Sequence, residues 1–316
     1  MKPIGGYFSL ELARGESYHP NAIALNTGRN GLEYILRCRS YRKVYIPYYT
    51  CEVVLEPFHK LGVAYEYYHI DERLEIEEKI ILKSEEALLY TNYFGLKQRY
   101  VELLAKQYGN RLIVDNTQAF FAKPVEGIDT FYTCRKFFGV PDGAYLYTDA
   151  KVDFDIEQDV SYDRMSFLLK RLDLGAEAGY ADFREQSERL VNQPIRQMSN
   201  LTRQMMLGIG YQVAAQRRRE NYKYLHKHLS ESNELEIPLA DDAVPMVYPY
   251  LTSDKTLKQR LISEKIFVAT YWPNVLAWCN PEDWEYQFVE KTVFIPIDQR
   301  YDLDNMNYIN NKITEK

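Results

Sequence analysis

The chain has 316 residues, 46% of them hydrophobic and 27% charged, the balance of a soluble globular protein with room for a large domain and a smaller one. Its 39 Lys and Arg against 45 Asp and Glu leave a net charge of −6, which argues against binding dominated by nucleic-acid phosphates. No apolar run is long enough to span a bilayer, the start lacks the apolar core of a secretory signal, and Cys38, Cys51, Cys134 and Cys279 have no metal-ligand or disulfide spacing. The expectation is a reduced, cytoplasmic protein without a metal site.

In chain order, Ala22–Asn26 predicts a strand and Gly31–Cys38 a helix with Leu32, Ile35 and Leu36 on its apolar face. Lys43–Pro47 predicts a second strand, followed by a helix from Cys51 to Leu61 and a third strand over Ala64–Ile70. Strands at Glu86–Asn92 and Leu112–Asp115 flank a helix at Gln98–Tyr108, and Thr130–Tyr132 and Ala144–Tyr147 close the series. Such β-α-β repetition predicts an α/β fold: a mostly parallel sheet flanked by helices, with ligands at the carboxyl ends of its strands.

From Asp163 to Leu229 the pattern is helical, with a break at Asn192-Gln193-Pro194, and the cluster Arg217-Arg218-Arg219 reads as a solvated helix face. The last part predicts a small α+β unit with its own core: strands at Val244–Leu251, Phe267–Thr270 and Thr292–Pro296, and helices at Asp254–Lys265 and from Leu303. The expected organisation is a large domain over residues 1–185, connecting helices over 186–235, and a small domain over 236–316. The 28 tyrosines, many adjacent as in Tyr48-Tyr49, are an excess. They suit a polar pocket or an interface, or reflect compositional drift.

Three segments could carry chemistry. Asp115 directly follows the apolar run Leu112-Ile113-Val114, where a buried carboxylate costs desolvation unless a cation or donors meet it. A protonated pyridine nitrogen would be such a partner, and Gln118 could reach the same ring; the plainer reading is an Asp capping a turn. Lys136 stands beside Phe137 and Phe138 ahead of Pro141-Asp142-Gly143. It is a candidate for a desolvated amine of lowered pKa, nucleophilic enough for a Schiff base, with Thr133 placed to donate to a phosphate; the plainer reading is a solvated loop charge. Finally, Gly28, Arg29 and Asn30 open a helix after the first strand, an anion site suited to phosphate or simply a capped helix start.

The order of these segments resembles the fold-type-I pyridoxal-phosphate enzymes, in particular the DegT/DnrJ/EryC1/StrS sugar aminotransferases. Thr27-Gly28-Arg29 stands in place of the family's Ser-Gly-Thr turn, Val114-Asp115-Asn116-Thr117-Gln118-Ala119 resembles its Glu-Asp-Ala-Ala-Gln-Ala stretch, and Lys136 precedes Gly143-Ala144 as its lysine precedes a glycine turn. Ile46-Pro47-Tyr48-Tyr49-Thr50 and Thr91-Asn92-Tyr93-Phe94-Gly95 resemble two further family stretches, and Tyr271-Trp272-Pro273 and Ile295-Pro296-Ile297 echo its small domain.

The resemblance implies a homodimeric aminotransferase that uses pyridoxal 5'-phosphate, held by Lys136 as a Schiff base. Its substrates would be a small-molecule amino donor and a nucleotide-linked keto-sugar of surface-polysaccharide synthesis. Asp115 would hold the pyridinium proton and Gln118 would contact the ring hydroxyl. Thr133, Gly28, Arg29 and Asn30 would hold the phosphate. Cys51 stands where relatives carry an aromatic against the ring, a place Tyr48 or Tyr49 could take. Tyr93 and Tyr271 would face substrate, and Asn200 or Tyr271 would serve the chain's own site or its partner's. Relatives with His in place of the lysine are dehydratases, so Lys136 favours transamination. Arg29, Cys51 and the short chain leave a second reading, a degenerate cofactor-binding protein without turnover.

Overall fold

The computed structural model describes residues 4–315. The chain enters through β1 (Ile23–Leu25) and α1 (Gly28–Arg39), then β2 (Lys43–Pro47), α2 (Leu55–Leu61), β3 (Ala64–Tyr68) and β4 (Glu86–Thr91). It continues through α3 (Gln98–Tyr108), β5 (Leu112–Asp115), β6 (Asp129–Thr133) and β7 (Ala144–Tyr147). These strands form one seven-stranded sheet in the order β1-β7-β6-β5-β4-β2-β3. Its pairings are parallel except where β7 meets β1 and β6. The mostly parallel α/β sheet is as expected from the sequence.

Alternation along the strands divides the core. Ala87, Leu89 and Ile113 pack with Leu32, Ile35 and Phe58 beneath α1 and α2, whereas Leu88, Tyr90, Leu112 and Val114 face the opposite layer. Both faces of β4 and β5 are therefore covered, which is why these strands read as unbroken apolar runs.

The helical stretch resolves into α4 (Ser166–Leu174), α5 (Tyr180–Arg189), α6 (Asn200–Leu207) and α7 (Tyr211–Leu229). Beyond it lie β8 (Val247–Leu251), α8 (Leu257–Ser263), α9 (Val275–Trp278), α10 (Trp284–Lys291), β9 (Thr292–Pro296) and α11 (Leu303–Thr314), with β8 and β9 forming an antiparallel pair.

Tyr248, Phe288 and Phe294 of the carboxyl-terminal unit join the apolar cluster that holds Tyr90, Phe94 and Phe120 beside the large sheet. Two expectations are corrected here. Phe267–Thr270 is not a strand: Ala269 touches Phe294 through one isolated bridge, between Lys265 in a left-handed conformation and the rigid Pro273. Nor is Arg218 solvated. It lies on the buried stripe of α7 with Ala214, Ala215, Asn221, Tyr222 and Leu225, and is 1% exposed.

Twelve of the 28 tyrosines are buried in the core. The hydroxyls of Tyr68, Tyr90, Tyr93 and Tyr132 donate to the carbonyls of Leu89, Leu74, Tyr49 and Ala122, which lets each ring pack without leaving its polar tip unpaired. Tyr49 is the exception, with a buried hydroxyl that has no partner.

Candidate active site

The carboxyl ends of β5 and β6 open onto a cleft of about 170 Å³ bordered by the start of α1, the β6–β7 turn and Trp272. Asp115, Lys136, Thr133, Gly28 and Arg29 all line it. With Cys51, which also lines it, six of the residues singled out from the sequence meet in one place, although Gly28 and Lys136 are more than a hundred positions apart.

Asp115 ends β5 and is 4% exposed. Its Oδ1 accepts from the backbone N–H of Thr117 at 2.8 Å. Burial pushes its carboxyl above the usual carboxylate range, and Lys136 and Thr117 pull it partly back. A buried carboxylate raised in this way invites a cationic partner.

Lys136 sits in the turn between β6 and β7. The expectation of a desolvated amine is corrected: Lys136 is exposed to the cleft, because in this tight turn Phe137 and Phe138 point into the core while the lysine points away. Its Nζ donates to Thr117 Oγ1 at 2.9 Å and lies 5.9 Å from the ring centre of Trp272. The turn is pinned at its base, where Cys134 N–H donates to Gly143 O at 2.9 Å and Gly143 N–H to Asn26 O at 2.6 Å. Gly143 has φ +105°, and a Cβ there would stand 2.8 Å from Thr202, so only glycine fits this position.

At the start of α1, Thr27 accepts from the N–H of Asn30. The N–H groups of Gly28 and Arg29 have no acceptor within the helix and border the cleft, as an anion site requires. Arg135 also lines the cleft, and its buried Nε has no partner. Its guanidinium donates to Ser187 Oγ and lies over Phe183 at 5.4 Å, and burial lowers its pKa to about 10.

Other residues singled out from the sequence lie outside the cleft lining. Asn30 is buried, and its side chain bonds Thr27, Glu33 and the carbonyl of Gln193. Gln118 is fully buried with Oε1 accepting from Phe94 N–H and Nε2 unpartnered. Tyr49 and Tyr93 pack against each other in the core, and Tyr48 stacks on Tyr67. Tyr271 packs on Phe94 and Phe294, and Asn200 is exposed at the start of α6. Arg29 borders the cleft, yet its Nη1 is already engaged by Glu56 and the carbonyl of Leu190.

Thr117, Arg135 and Trp272 also line the cleft and were not singled out. The first two adjoin segments that were, and chain proximity to Asp115 and Lys136 was their available signal. Trp272 comes from the distant carboxyl-terminal unit and carried no local mark beyond the Tyr-Trp-Pro sequence.

The solved structures show what this arrangement is built on. The chain matches sugar aminotransferase CalS13 from Micromonospora echinospora at TM-score 0.61 and 17% identity, over 93% of this chain and 87% of that one. It matches a DegT DnrJ EryC1 StrS aminotransferase from Brucella abortus at 0.61 and 14%, over 92% and 84%. The E. coli GDP-4-keto-6-deoxy-D-mannose-3-dehydratase with bound hydrated PLP matches at 0.62 and 17%, over 93% and 87%. The chain has the fold of the sugar aminotransferases. No family model matches it, and no curated protein matches it by sequence. The fold shared with these enzymes places the cleft at the carboxyl edge of the sheet, where α/β sheets bind ligands. Among the described residues no helix is long and apolar enough to cross a membrane, and no group of His, Cys, Asp and Glu could hold a metal ion.

Proposed function

We propose that this protein is a pyridoxal-phosphate-dependent aminotransferase that transfers an amino group from a small-molecule donor to a nucleotide-linked keto-sugar, working as a cytoplasmic homodimer in surface-polysaccharide synthesis. The observation that carries the reading is the meeting of Asp115 and Lys136 across one cleft that also offers unpaired N–H donors. Sugar-modifying enzymes of the same fold support it, among them the dehydratase with bound hydrated PLP and a putative sugar aminotransferase from Streptococcus pneumoniae in its PMP form.

The residues present fit the cofactor. The free N–H groups at the start of α1, Thr133 Oγ1 and the unpartnered Nε of Arg135 are donors for its phosphate. Asp115 is a buried carboxylate for a protonated ring nitrogen, and Lys136 is the amine within the cleft. When bound, the cofactor supplies an electron sink for a developing carbanion. Around it, Asp115 holds a proton on the ring nitrogen, and the Lys136 amine moves a proton at Nζ as general base and then acid. Thr117 Oγ1 gives that amine a resting hydrogen bond. Trp272, 7% exposed, covers the cleft from the carboxyl-terminal unit and limits water. The proposed division into domains at residues 185 and 235 puts this cover on the small domain.

The second reading, cofactor binding without turnover, draws on the engagement of Arg29 by Glu56 and on a cleft wall of Cys51, Val53 and Val54 without an aromatic ring. One experiment separates the two. Protein loaded with pyridoxal phosphate develops visible absorbance, and an amino donor such as glutamate then shifts it to the pyridoxamine form. Loading without a shift upholds the second reading, and absence of loading overturns both.

A further inference from the structure

Beside the cleft, the carbonyl of Phe137, the residue after Lys136, is held by two side chains from distant parts of the chain. Gln299, three residues beyond β9, donates to it from Nε2 at 2.7 Å. Arg218 of α7 donates to it from Nη2 at 3.4 Å, and its guanidinium lies 4.7 Å from the centre of the Phe137 ring. The two side chains are also joined, Arg218 Nε donating to Gln299 Oε1 at 3.0 Å. A further donation from Arg218 Nη1 to Met246 O at 3.0 Å fixes the guanidinium against the chain entering β8.

This arrangement is costly. Arg218 is 1% exposed and, among the described residues, forms no salt bridge with a carboxylate. Asp298, the nearest source of opposite charge, is taken by Arg300 at 2.6 Å. Burying a cation on neutral acceptors alone costs desolvation that an apolar side chain would not. Of the Arg218 donors, Nη2 reaches the turn that carries Lys136, and Nε holds Gln299, whose Nε2 donates to the same carbonyl. The other end of that turn is closed by Phe137 and Phe138 N–H groups donating to Cys134 O, each at 3.0 Å. Lys136 therefore sits between a fixed base and a clamp supplied by α7 and the carboxyl-terminal unit.

We infer that Arg218 and Gln299 are positioning residues that set the place of the Lys136 amine by clamping the Phe137 carbonyl, coupling the seat of the carboxyl-terminal unit to the cleft. The inference rests on Lys136 as the reactive amine. Neither side chain touches the reacting atoms.

The test compares Gln299→Leu and Arg218→Lys with Arg219→Ala. Arg219 is the control because it too ties α7 to the chain ahead of β8, through the carbonyls of Ala243 and Asp242, but does not reach the Lys136 turn. Two readouts are taken beside the thermal midpoint. One is the rate at which Lys136 of the cofactor-free protein is labelled by an amine-reactive reagent across pH, followed by peptide mass spectrometry. The other is the rate at which visible absorbance develops with pyridoxal phosphate. Misplacing a reacting group by about 1 Å costs up to roughly a hundredfold in rate. Gln299→Leu is expected to slow cofactor capture by tenfold or more and to alter the labelling profile of Lys136, while Arg219→Ala leaves both unchanged. Gln299→Glu keeps an acceptor for Arg218 but loses the donor to Phe137, and should behave as Gln299→Leu does. If Arg218→Lys does not fold, the Gln299 variants decide. Equal effects in the Arg219 and Gln299 variants, or unchanged Lys136 labelling and capture in folded Gln299→Leu, overturn the inference. A protein that never takes up the cofactor, yet whose Lys136 labelling responds to Gln299→Leu, removes the proposed function and keeps the clamp.

Discussion

The β6–β7 turn and helix α7 keep their cations in opposite ways. Lys136 reaches into an open cleft and rests on one hydroxyl, whereas Arg218 is sealed in the core and saturated by carbonyl and amide oxygens. The first can leave its partner at little cost and is free to exchange it for a ligand. The second cannot move without stranding several buried acceptors. A reactive group and a structural one are thus told apart by how easily each gives up its hydrogen bonds. Charge and neighbours in the chain do not make that distinction.

Substitutions test this contrast most strongly at its two ends. Lys136→Ala is expected to abolish the visible absorbance of protein treated with pyridoxal phosphate, while its thermal midpoint stays within a degree or two, as for exposed side chains generally. A large fall in that midpoint would break the contrast. Arg218→Leu, in turn, should cost on the order of 3 kcal/mol of unfolding free energy through the acceptors it leaves unpaired, measured by urea denaturation. Stability equal to the parent protein would show that the acceptors find other donors.

Asp115 lies between these extremes, buried yet facing the cleft. Its carboxyl pKa is raised on folding, so the folded protein binds the extra proton, and stability falls as pH rises from the ordinary carboxylate range through the raised value. Asp115→Asn should therefore leave the cofactor-free protein as stable or more stable at pH 7. It should weaken cofactor binding about tenfold to a hundredfold by removing a charged hydrogen-bond partner. Calorimetry of both forms checks the pair of effects, and a destabilised cofactor-free variant with unchanged binding would contradict them.

His19 is a different kind of buried group. Its ring, 3% exposed, meets the Phe120 carbonyl at 3.0 Å and the Tyr147 hydroxyl at 3.1 Å, and burial lowers its pKa from 6.5 to about 4. The folded protein keeps it neutral, so stability is lost as pH falls from 6.5 towards 4, by up to roughly 3 kcal/mol. In His19→Gln, urea midpoints at pH 7 and pH 4.5 should differ less than in the parent protein. An unchanged difference would assign acid sensitivity to other groups.

The sheet was legible because its strands are apolar runs separated by helical periods, and Asp115, Lys136 and Gly28 were legible because each lies at or just after a strand end. Exposure was less so. Chain neighbours in a turn diverge, which hid that Lys136 is open while Phe137 is buried. For Arg218 a signal existed: positions 211, 214, 215, 218, 222 and 225 repeat at helical spacing, and all are buried. The charge of three consecutive arginines outweighed that period. Trp272 joins the cleft only through the packing of the carboxyl-terminal unit on the large sheet, a contact that no local pattern encodes.

The central claim is that the amine of Lys136 captures the cofactor. Protein incubated with pyridoxal phosphate, reduced with borohydride and digested should yield one modified peptide, carrying the cofactor mass on Lys136. No adduct, or an adduct on another lysine with the Lys136 peptide unmodified, would contradict the account.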